Sequence, residues 1–368
     1  MLVNNFRIRL HSLNNVAATL PFVGGNQVMR GMRALAQRLD ISIGTVSRAL
    51  NGKPGVHPET RARVLQMAQE TGYVASAAGR NLRKGRTSTI GLMIGTGPTA
   101  LAGDNFFMAL TDALQQALLA VEIDLVLLPV HRAMDPVDFL GRTLRRGGLD
   151  GIILTATQVQ DRRIALMQDY SLPFMTLGRS GTPGDYFWMD LDFDKGARLS
   201  VQRLVALGHR RIAVCVPEGS ANLARIYHDG WRSMMQESGL PVTDDLYFDD
   251  EGTEEGGARV AARLMAQKNR PTAIIMCSEP MISGFYGGLL SAGVRPGADI
   301  SVIGFRQSPL LRHLAPPISC FDMDIEQLGR DMAKAIFALT YDSDGQQKPT
   351  PGLLPMSFVE TTSVQAPG

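Results

Sequence analysis

The sequence predicts an all-α head at the amino-terminal end, followed by two doubly wound parallel α/β lobes. Residues 32–72 carry apolar side chains at helical spacing, which indicates short amphipathic helices. From residue 89 onward, short apolar runs alternate with helical patterns, as is typical of parallel sheets covered on both faces. This alternation occurs in two successive sets, so we expect two lobes with a cleft between them.

Three helices are predicted in the head, over residues 32–39, 43–51 and 58–72. Asp40 stands where the tight turn after the first helix needs a left-handed residue, and Ser42 is a good N-cap for the second helix. Two helices joined by a short turn and followed by a third form a helix-turn-helix. The residues expected to face the core of the head are Met32, Leu35, Ala36, Leu39, Val46, Leu50, Val64, Leu65 and Ala68.

The body is predicted to hold strands and helices in alternation. Strands are expected over residues 89–95, 123–130, 149–156, 173–178, 211–217, 272–278 and 300–305. Helices are expected over residues 105–120, 136–146, 160–170, 195–207, 224–238, 254–267 and 281–292. The predicted organisation is an extension or mis-assigned start over 1–31, the head over 32–73, a hinge and linker over 74–88, a first lobe over 89–190 and 318–350, and a second lobe over 191–317 and 351–368.

Charge is distributed unevenly along the 368 residues, although the net charge is only +2. Residues 1–88 contain 13 Lys and Arg against 3 acidic residues, and the remainder contains 24 against 32. A basic head on an acidic body predicts a polyanionic partner for the head alone.

Composition argues against several classes of protein. No apolar run is long enough for a transmembrane helix, so no membrane partner is expected. Cys215, Cys277 and Cys320 lie far apart without metal-ligand spacing, which fits buried thiols in a reducing cytoplasm. We therefore expect a cytoplasmic protein without a metal or another cofactor.

Two alternative functions have some support in the sequence. The stretch GTGPTA (95–100) follows a predicted strand and loosely matches a dinucleotide-binding fingerprint, but Pro98 stands where the helix should begin. No motif of a serine hydrolase or of a zinc protease is present, so an enzyme is not predicted. A solute-binding protein would need a signal peptide and would have no use for residues 33–84.

The second helix of the head has the composition of a recognition helix. It combines small side chains, which let a helix enter the major groove, with Arg, Ser, Thr and Asn, which reach base edges and phosphates. An ordinary surface helix of a bundle would show similar residues. The basic charge of the head favours DNA binding over that alternative.

The head closely resembles that of the LacI/GalR family of bacterial transcription regulators, over the stretch LAQRLDISIGTVSRALNGKPGVHPETRARVLQMAQETGY. The stretches LGHRRIAV, DISVIGF and RHLAPPIS resemble body motifs of that family, so that the similarity covers about residues 33–364. The resemblance implies a transcriptional regulator, most simply a repressor. It implies a homodimer on a palindromic operator of double-stranded DNA, with a two-lobed body like a periplasmic sugar-binding protein. A small-molecule effector is expected between the lobes.

The resemblance also implies roles for individual head residues. Matches to base-reading residues are Ile43, Gly44 and Arg48, and matches to phosphate contacts are Thr45 and Ser47. Asn51 and Tyr73 match residues that steady the head on the DNA backbone. Ser76 lies in the hinge, where Ala75 and Ser76 replace the family's usual Pro-Asn. Leu82 matches a leucine that is pushed between base pairs in the minor groove.

The effector cleft matches the family less well. Phe106, Phe107 and Arg179 fit the wall formed by the first lobe. In the second lobe, Tyr227 replaces the family's usual Arg, and Arg225 lies nearby. The residues expected to contact the effector are Phe106, Phe107, Arg179, Arg225, Tyr227, Glu279 and Arg306.

Arg306 leaves two alternatives open for the effector. It replaces the Asp with which the family grips sugar hydroxyls, so Arg306 and Arg179 together would suit a phosphate or carboxylate. The predicted effector is then a sugar phosphate or a sugar acid rather than a neutral sugar. Alternatively, Arg306 pairs with Glu279 across the cleft, and the pocket is reorganised or not used.

Overall fold

The computed structural model describes residues 31–50, 52–71, 73, 86–96, 105–131, 133–342 and 349–368. The chain divides into two compact units, Met1–Arg80 and Asn81–Gly368. The predicted extension over 1–30 and most of the predicted hinge lie outside the described residues, as do Asn51, Ser76 and Leu82. Residues 97–100 of the GTGPTA stretch lie outside them too.

Three helices form the head, as the sequence predicts: α1 (Met32–Leu39), α2 (Ile43–Leu50) and α3 (Pro58–Glu70). Asp40 ends α1 in the left-handed conformation, with a φ of 52°. The hydroxyl of Ser42 accepts a hydrogen bond from the backbone N–H of Thr45 at 3.0 Å, which satisfies one of the unpaired donors at the start of α2. The turn between the two helices is therefore fixed by local backbone and side-chain chemistry.

The core of the head differs from the prediction at two positions. Val46 and Val64 are fully buried, as expected. Leu65, however, is 49 % exposed, because each residue turns a helix by about 100° and the inner stripe of α3 runs from Val64 to Ala68. In α2 the fully buried partner of Val46 is Ala49, whereas Leu50 is only partly buried. The apolar pattern thus identifies the inner face but not every side chain on it.

The body contains two six-stranded sheets. In the first sheet the strands stand in the order β11-β5-β4-β3-β1-β2, and all pairs are parallel. These strands are β1 (Thr89–Thr96), β2 (Asp124–His131), β3 (Gly151–Leu154), β4 (Phe174–Leu177), β5 (Phe187–Leu191) and β11 (Gly352–Leu354).

The second sheet has the order β12-β10-β9-β8-β6-β7, and only β12 runs antiparallel to its neighbour. Its strands are β6 (Ile212–Pro217), β7 (Tyr247–Asp250), β8 (Ala273–Met276), β9 (Ser301–Arg306), β10 (Ser319–Asp322) and β12 (Ser357–Val359). Two mainly parallel sheets in succession confirm the predicted fold class.

Eight helices of the described part of the body connect these strands. They are α4 (Asn105–Leu119), α5 (Pro136–Arg146), α6 (Arg162–Gln168), α7 (Phe193–Ala206), α8 (Asn222–Glu237), α9 (Glu254–Met265), α10 (Glu279–Ser291) and α11 (Ile325–Tyr341). The start of α5 illustrates why they form where they do. Asp135 accepts hydrogen bonds from the N–H groups of Val137 and Asp138, and Pro136 occupies the first helical turn.

The predicted lobe boundaries differ from the observed sheets near the carboxyl-terminal end. β10 belongs to the second sheet, although the sequence interpretation assigned residues from 318 onward to the first lobe. β11 belongs to the first sheet, although residues from 351 were assigned to the second lobe. Strands of three or four residues have too little pattern of their own to show which sheet they join.

Two absences apply to the part of the chain that the structure describes. None of its helices is long and apolar enough to cross a membrane. Within the same residues, no group of three or more His, Cys, Asp or Glu side chains is placed to hold a metal ion.

Candidate nucleic-acid interface and effector cleft

Helix α2 buries one face and presents the other. Val46 and Ala49 pack into the core of the head. Ile43, Gly44 and Arg48 are exposed, and Thr45 and Ser47 are half-buried beside them. The residues predicted to read bases and to contact phosphates therefore all lie on the part of one short helix that points away from the core.

Arg48 is the main cation of this face. Within the described residues it has no carboxylate partner, so its guanidinium is available to an anion in solution. Its neighbour Thr45 shares a hydrogen bond with Ser42, at an Oγ1–Oγ distance of 2.9 Å, which fixes the direction of the threonine side chain. This face therefore carries one exposed cation, Arg48, and the hydroxyl of Thr45 beside it. Both kinds of group can contact phosphates and base edges.

Tyr73 belongs to the packing of the head. Its side chain is half-buried against the core of the head, and its N–H donates to the carbonyl oxygen of Ala68 at 2.8 Å. The predicted role of Tyr73 in steadying the head on DNA remains a prediction, since these contacts describe only its attachment to α3.

The first-lobe side of the cleft contains the predicted aromatic pair and Arg179. Phe106 and Phe107 lie near the start of α4, edge to face, with their ring centroids 5.3 Å apart. The Nε of Arg179 donates to a carboxylate oxygen of Asp190 at 3.0 Å. The Nη2 of Arg179 is buried and makes no hydrogen bond to any residue that the structure describes. One donor of the first lobe is therefore unsatisfied.

Asp190 is a site residue that the sequence interpretation missed. It follows Met189, the last residue of β5 that pairs with β4, and its side chain is almost fully buried. Burial raises the pKa of Asp190, while its hydrogen bonds from Arg179 oppose that shift. A sequence signal was available only in part, because β5 itself was not predicted.

The second-lobe side contains a buried ion pair between Arg306 and Glu279. Arg306 ends β9 and Glu279 begins α10, and their side chains are only 11 % and 5 % exposed. The structure thus shows the second of the two alternatives that the sequence left open. The pair lies within one lobe, however, and does not span the cleft.

Arg306 also contacts the opposite lobe through an aromatic ring. Its guanidinium carbon lies 4.5 Å from the centroid of Phe106, within the range of a cation–π interaction. Because Phe106 belongs to α4 and Arg306 to β9, this contact joins the two lobes beside the cleft.

Tyr227, which the sequence interpretation assigned to the effector cleft, is buried in the second lobe. Its side chain is 0 % exposed and packs edge-on against Phe305, with the centroids 5.9 Å apart. Burial raises the pKa of its phenol well above the usual range. The predicted contact of Tyr227 with the effector stays a prediction, and the structure shows its ring packed into the core of the second lobe.

Arg225 is an exposed cation of the same helix. Its Nε donates to Asn222 Oδ1 at 3.1 Å, and its Nη1 lies 3.3 Å from a carboxylate oxygen of Asp229. It borders a cavity of about 400 Å³ that extends along α8 toward β7. Its predicted contact with the effector remains a prediction.

Asn222, which the sequence interpretation also missed, joins the two lobes. Its Nδ2 donates to the carbonyl oxygen of Arg179 at 2.7 Å, and its backbone N–H donates to the carbonyl oxygen of Thr157 at 2.8 Å. The same side chain accepts from Arg225, so one buried amide connects both predicted arginines. Asn at the start of a helix is too common for the sequence to single it out.

The head and body together define a class of DNA-binding regulators, and comparison with known proteins identifies the family. Residues 32–76 match the family of bacterial regulatory proteins, lacI family, and residues 201–364 match the periplasmic binding protein-like domain. The chain is 31% identical over 312 residues to the HTH-type transcriptional regulator AglR of Rhizobium meliloti (strain 1021), covering 83% of this chain and 86% of AglR. The chain therefore belongs to the LacI family and is a transcriptional regulator, not an enzyme.

Solved structures share the fold. The lac repressor dimer bound to operator and the anti-inducer ONPF has a TM-score of 0.79 and 22% identity, with 91% of this chain and 99% of that chain covered. The complex of the transcriptional regulator CelR with cellobiose has a TM-score of 0.69 and 24% identity, with 90% and 99% covered. At these identities the two structures show the arrangement of the chain, and the chemistry of the site comes from its own residues.

Proposed function

We propose that the protein represses transcription by binding a palindromic operator as a homodimer, and that a neutral, hydroxyl-rich ligand between the lobes controls this binding. The observation that supports DNA binding most directly is the outward face of α2, where Arg48 is exposed and has no carboxylate partner in the described part of the chain. The match of residues 32–76 to the lacI family of bacterial regulatory proteins supports a DNA-binding role for this face.

The contacts expected of α2 follow from its side chains. Gly44 allows the helix backbone to approach the floor of the major groove closely, and Ile43 suits the methyl group of thymine. Arg48 is the residue that carries two parallel donors, which match the two acceptors of guanine. We therefore expect Arg48 to contribute most of the hydrogen-bonded base recognition.

Exposed apolar side chains of the first lobe support a homodimer. β2 is an edge strand of the first sheet, and large apolar residues are exposed on it, on α4 beside it and in the turn between them. These residues are Met108, Leu119, Val121, Val126 and Leu127. An apolar patch of this kind is typical of a protein interface, and a two-fold dimer would read a two-fold symmetric operator.

The charges of the cleft support a neutral ligand. Arg179 is paired with Asp190 and Arg306 with Glu279, so the anionic ligand that the substitution at position 306 predicts would have to break an existing ion pair. A sugar hydroxyl needs no such exchange. It can accept from the unsatisfied Nη2 of Arg179, while Phe106 and Phe107 provide an apolar wall for the ring.

Selection from randomised duplexes tests the DNA-binding part of this proposal. We expect the purified protein to enrich an inverted repeat and to bind it far more tightly than random DNA, with a dimer on each duplex. Recovery of no enriched sequence, or of a single unrepeated half-site bound by a monomer, would contradict the proposal.

Titration of the protein with neutral sugars and their phosphates tests the ligand. For the sugar that binds, we expect the neutral member of the pair to bind more tightly and to change the affinity for the selected duplex. Arg179→Met should lower the affinity for the sugar. Arg198→Met, which removes one partner of the exposed pair with Glu237, should leave that affinity unchanged. Tighter binding of the phosphate would favour the anionic alternative instead.

A further inference from the structure

Helix α5 of the body carries an exposed stripe of arginines. Arg142, Arg145 and Arg146 are spaced three and four residues apart, so they lie on one face of the last two turns. All three are exposed. They form no ion pair with any acidic residue of the described part of the chain, whereas most other arginines of the body do, as Arg203 does with Glu360.

The stripe lies near the edge of the body at which the chain enters from the linker. α5 ends at Arg146, and β3 begins five residues later beside β1. Asp150, just before β3, accepts hydrogen bonds from the backbone N–H groups of Thr87 and Ser88, both at 2.7 Å. The last residues of the linker are therefore fixed to the same edge of the first sheet.

Tyr341 also holds Asp150, and its ring lies beside Arg86, a basic residue at this edge. The hydroxyl of Tyr341 donates to Asp150 at 2.7 Å, and the guanidinium of Arg86 lies 5.0 Å from the centroid of the Tyr341 ring. These hydrogen bonds outweigh burial and lower the pKa of the Asp150 carboxyl. Asp150 therefore stays ionised at neutral pH, but its oxygens already accept hydrogen bonds from Thr87, Ser88 and Tyr341, and it forms no ion pair with an arginine of the stripe in the described part of the chain.

We propose that Arg142, Arg145 and Arg146 form a second phosphate-binding surface, through which the body contacts the backbone of the DNA that the head reads. The inference rests on the proposed DNA-binding function of the head. The twelve residues between Tyr73 and Arg86 can span at most about 40 Å, which sets an upper limit on the length of this connection.

Two simpler explanations account for the stripe less well. Basic residues favour the carboxyl-terminal end of a helix because of its dipole, but that explains only the last turn and not Arg142. Intrahelical pairing would need an acid one turn away. Asp138 has that spacing from Arg142, yet the structure shows no ion pair between them.

The edge is not basic throughout, which limits the surface. Glu122 precedes β2, and Asp124 begins it, at the amino end of that strand. Asp124 stands opposite Thr89 in the sheet, on the far side of β1 from β3. We therefore expect DNA to approach the β3 side of the edge, where α5 ends.

The salt dependence of DNA affinity tests the proposal with a matched pair of variants. Arg145→Ala with Arg146→Ala removes two cations from the stripe. The control, Arg232→Ala with Arg312→Ala, removes two exposed arginines of the second lobe that have no acidic partner among the described residues, so the net charge changes equally. The probes are the duplex selected for the wild-type protein and a random duplex of the same length.

A phosphate contact releases counterions, so each arginine that binds phosphate contributes about one unit to the slope of log affinity against log salt. We expect the stripe variant to lower that slope by about two units and to weaken both duplexes by the same factor. The control should match the wild-type protein. Arg145→Lys with Arg146→Lys should retain most of the slope, since both charges are kept.

The outcomes separate this inference from the function on which it rests. If the wild-type protein binds its duplex specifically but the stripe variant has the slope of the control, the second surface does not exist. If the stripe variant loses affinity only for the selected duplex, the arginines read sequence and the proposal is also wrong. If no duplex is bound specifically, the proposed function itself fails.

Discussion

Two arginines of this protein are placed in opposite ways. Arg48, on the outer face of α2, is exposed, and it has no carboxylate partner among the described residues. Arg306, at the end of β9, is buried, paired with Glu279 and stacked on Phe106. The residue type is the same, but one cation is available to a partner and the other is already neutralised inside the fold.

This difference shows why charge counted along a sequence predicts one partner and not the other. An exposed guanidinium is available to a phosphate of DNA, and the counterions released from the DNA make the free energy of binding more favourable. A buried guanidinium persists only with an opposing charge, since desolvation of an isolated cation is costly. The basic head thus predicts a polyanion, whereas Arg306 within the cleft does not.

The largest effect is expected at the buried pair. Arg306→Ala should lower the free energy of unfolding by about 3–5 kcal/mol, because it leaves Glu279 buried without its counter-charge. Removing one partner of the exposed pair between Arg198 and Glu237 should cost about 0–1 kcal/mol. Urea denaturation followed by circular dichroism measures both.

A double variant sharpens that result. Arg306→Met combined with Glu279→Gln removes both charges at similar volume, and we expect it to recover much of the stability that Arg306→Ala loses. Equal losses for Arg306→Ala and for the exposed arginine would show that Glu279 does not depend on this partner.

The next effect concerns the unpaired cation. Arg48→Ala should weaken binding to the selected duplex by about 1–3 kcal/mol and should change binding to random DNA much less. Arg63→Ala, on the exposed side of α3, removes the same charge from the head and serves as the control. Fluorescence anisotropy with the two duplexes measures the difference. Equal losses of affinity for both duplexes would show that Arg48 contacts only phosphates.

The smallest effect is expected from a third kind of placement, a buried side chain kept neutral. His209 makes hydrogen bonds through both ring nitrogens, at 2.8 Å to Thr272 Oγ1 and at 2.8 Å to the carbonyl oxygen of Gln365. Burial lowers its pKa. The unfolded chain therefore binds a proton at a higher pH than the folded chain, and stability falls as the pH decreases below about 6.5.

Denaturation at several pH values between about 5 and 7.5 checks this slope, which one group limits to about 1.4 kcal/mol per pH unit. His209→Gln should flatten it. His228 also has a lowered pKa, caused by burial and by the charge of Arg232, so His228→Gln is the necessary comparison. A slope that His209→Gln leaves unchanged would assign the effect to other groups.

The fold could be predicted well where long patterns repeat. The helices of the head, the alternation of strands and helices and the start of α5 at Pro136 all follow from periodicity and from capping residues. β5, β7, the three strands after β9 and the helix α11 were missed. The strands have only three to five residues, which gives them little periodicity, and they are fixed by their neighbours in the sheet. The helix α11 has 17 residues and an apolar stripe, which the sequence interpretation did not pick out.

The candidate site could be predicted only in part, for a related reason. The outer face of α2 depends on local spacing, so Ile43, Gly44 and Arg48 could be found from the sequence. Glu279 could be named as a partner for Arg306, but the sequence could not decide between this pairing and an anionic ligand. Asp190, the partner of Arg179, was missed, because sequence alone gives no distances between side chains. The inward turn of Tyr227 follows from the packing of α8 on the second sheet, which a single sequence does not specify.

The comparison between the two arginines is tested most directly by one series of measurements over salt concentration. Affinity for the selected duplex and affinity for the sugar ligand would be measured on the same protein between about 50 and 300 mM salt. The account predicts a steep fall for DNA, since unpaired cations release counterions, and almost no change for a neutral ligand in a cleft whose arginines are already paired. A ligand affinity that falls steeply with salt, or a DNA affinity that does not, would contradict it.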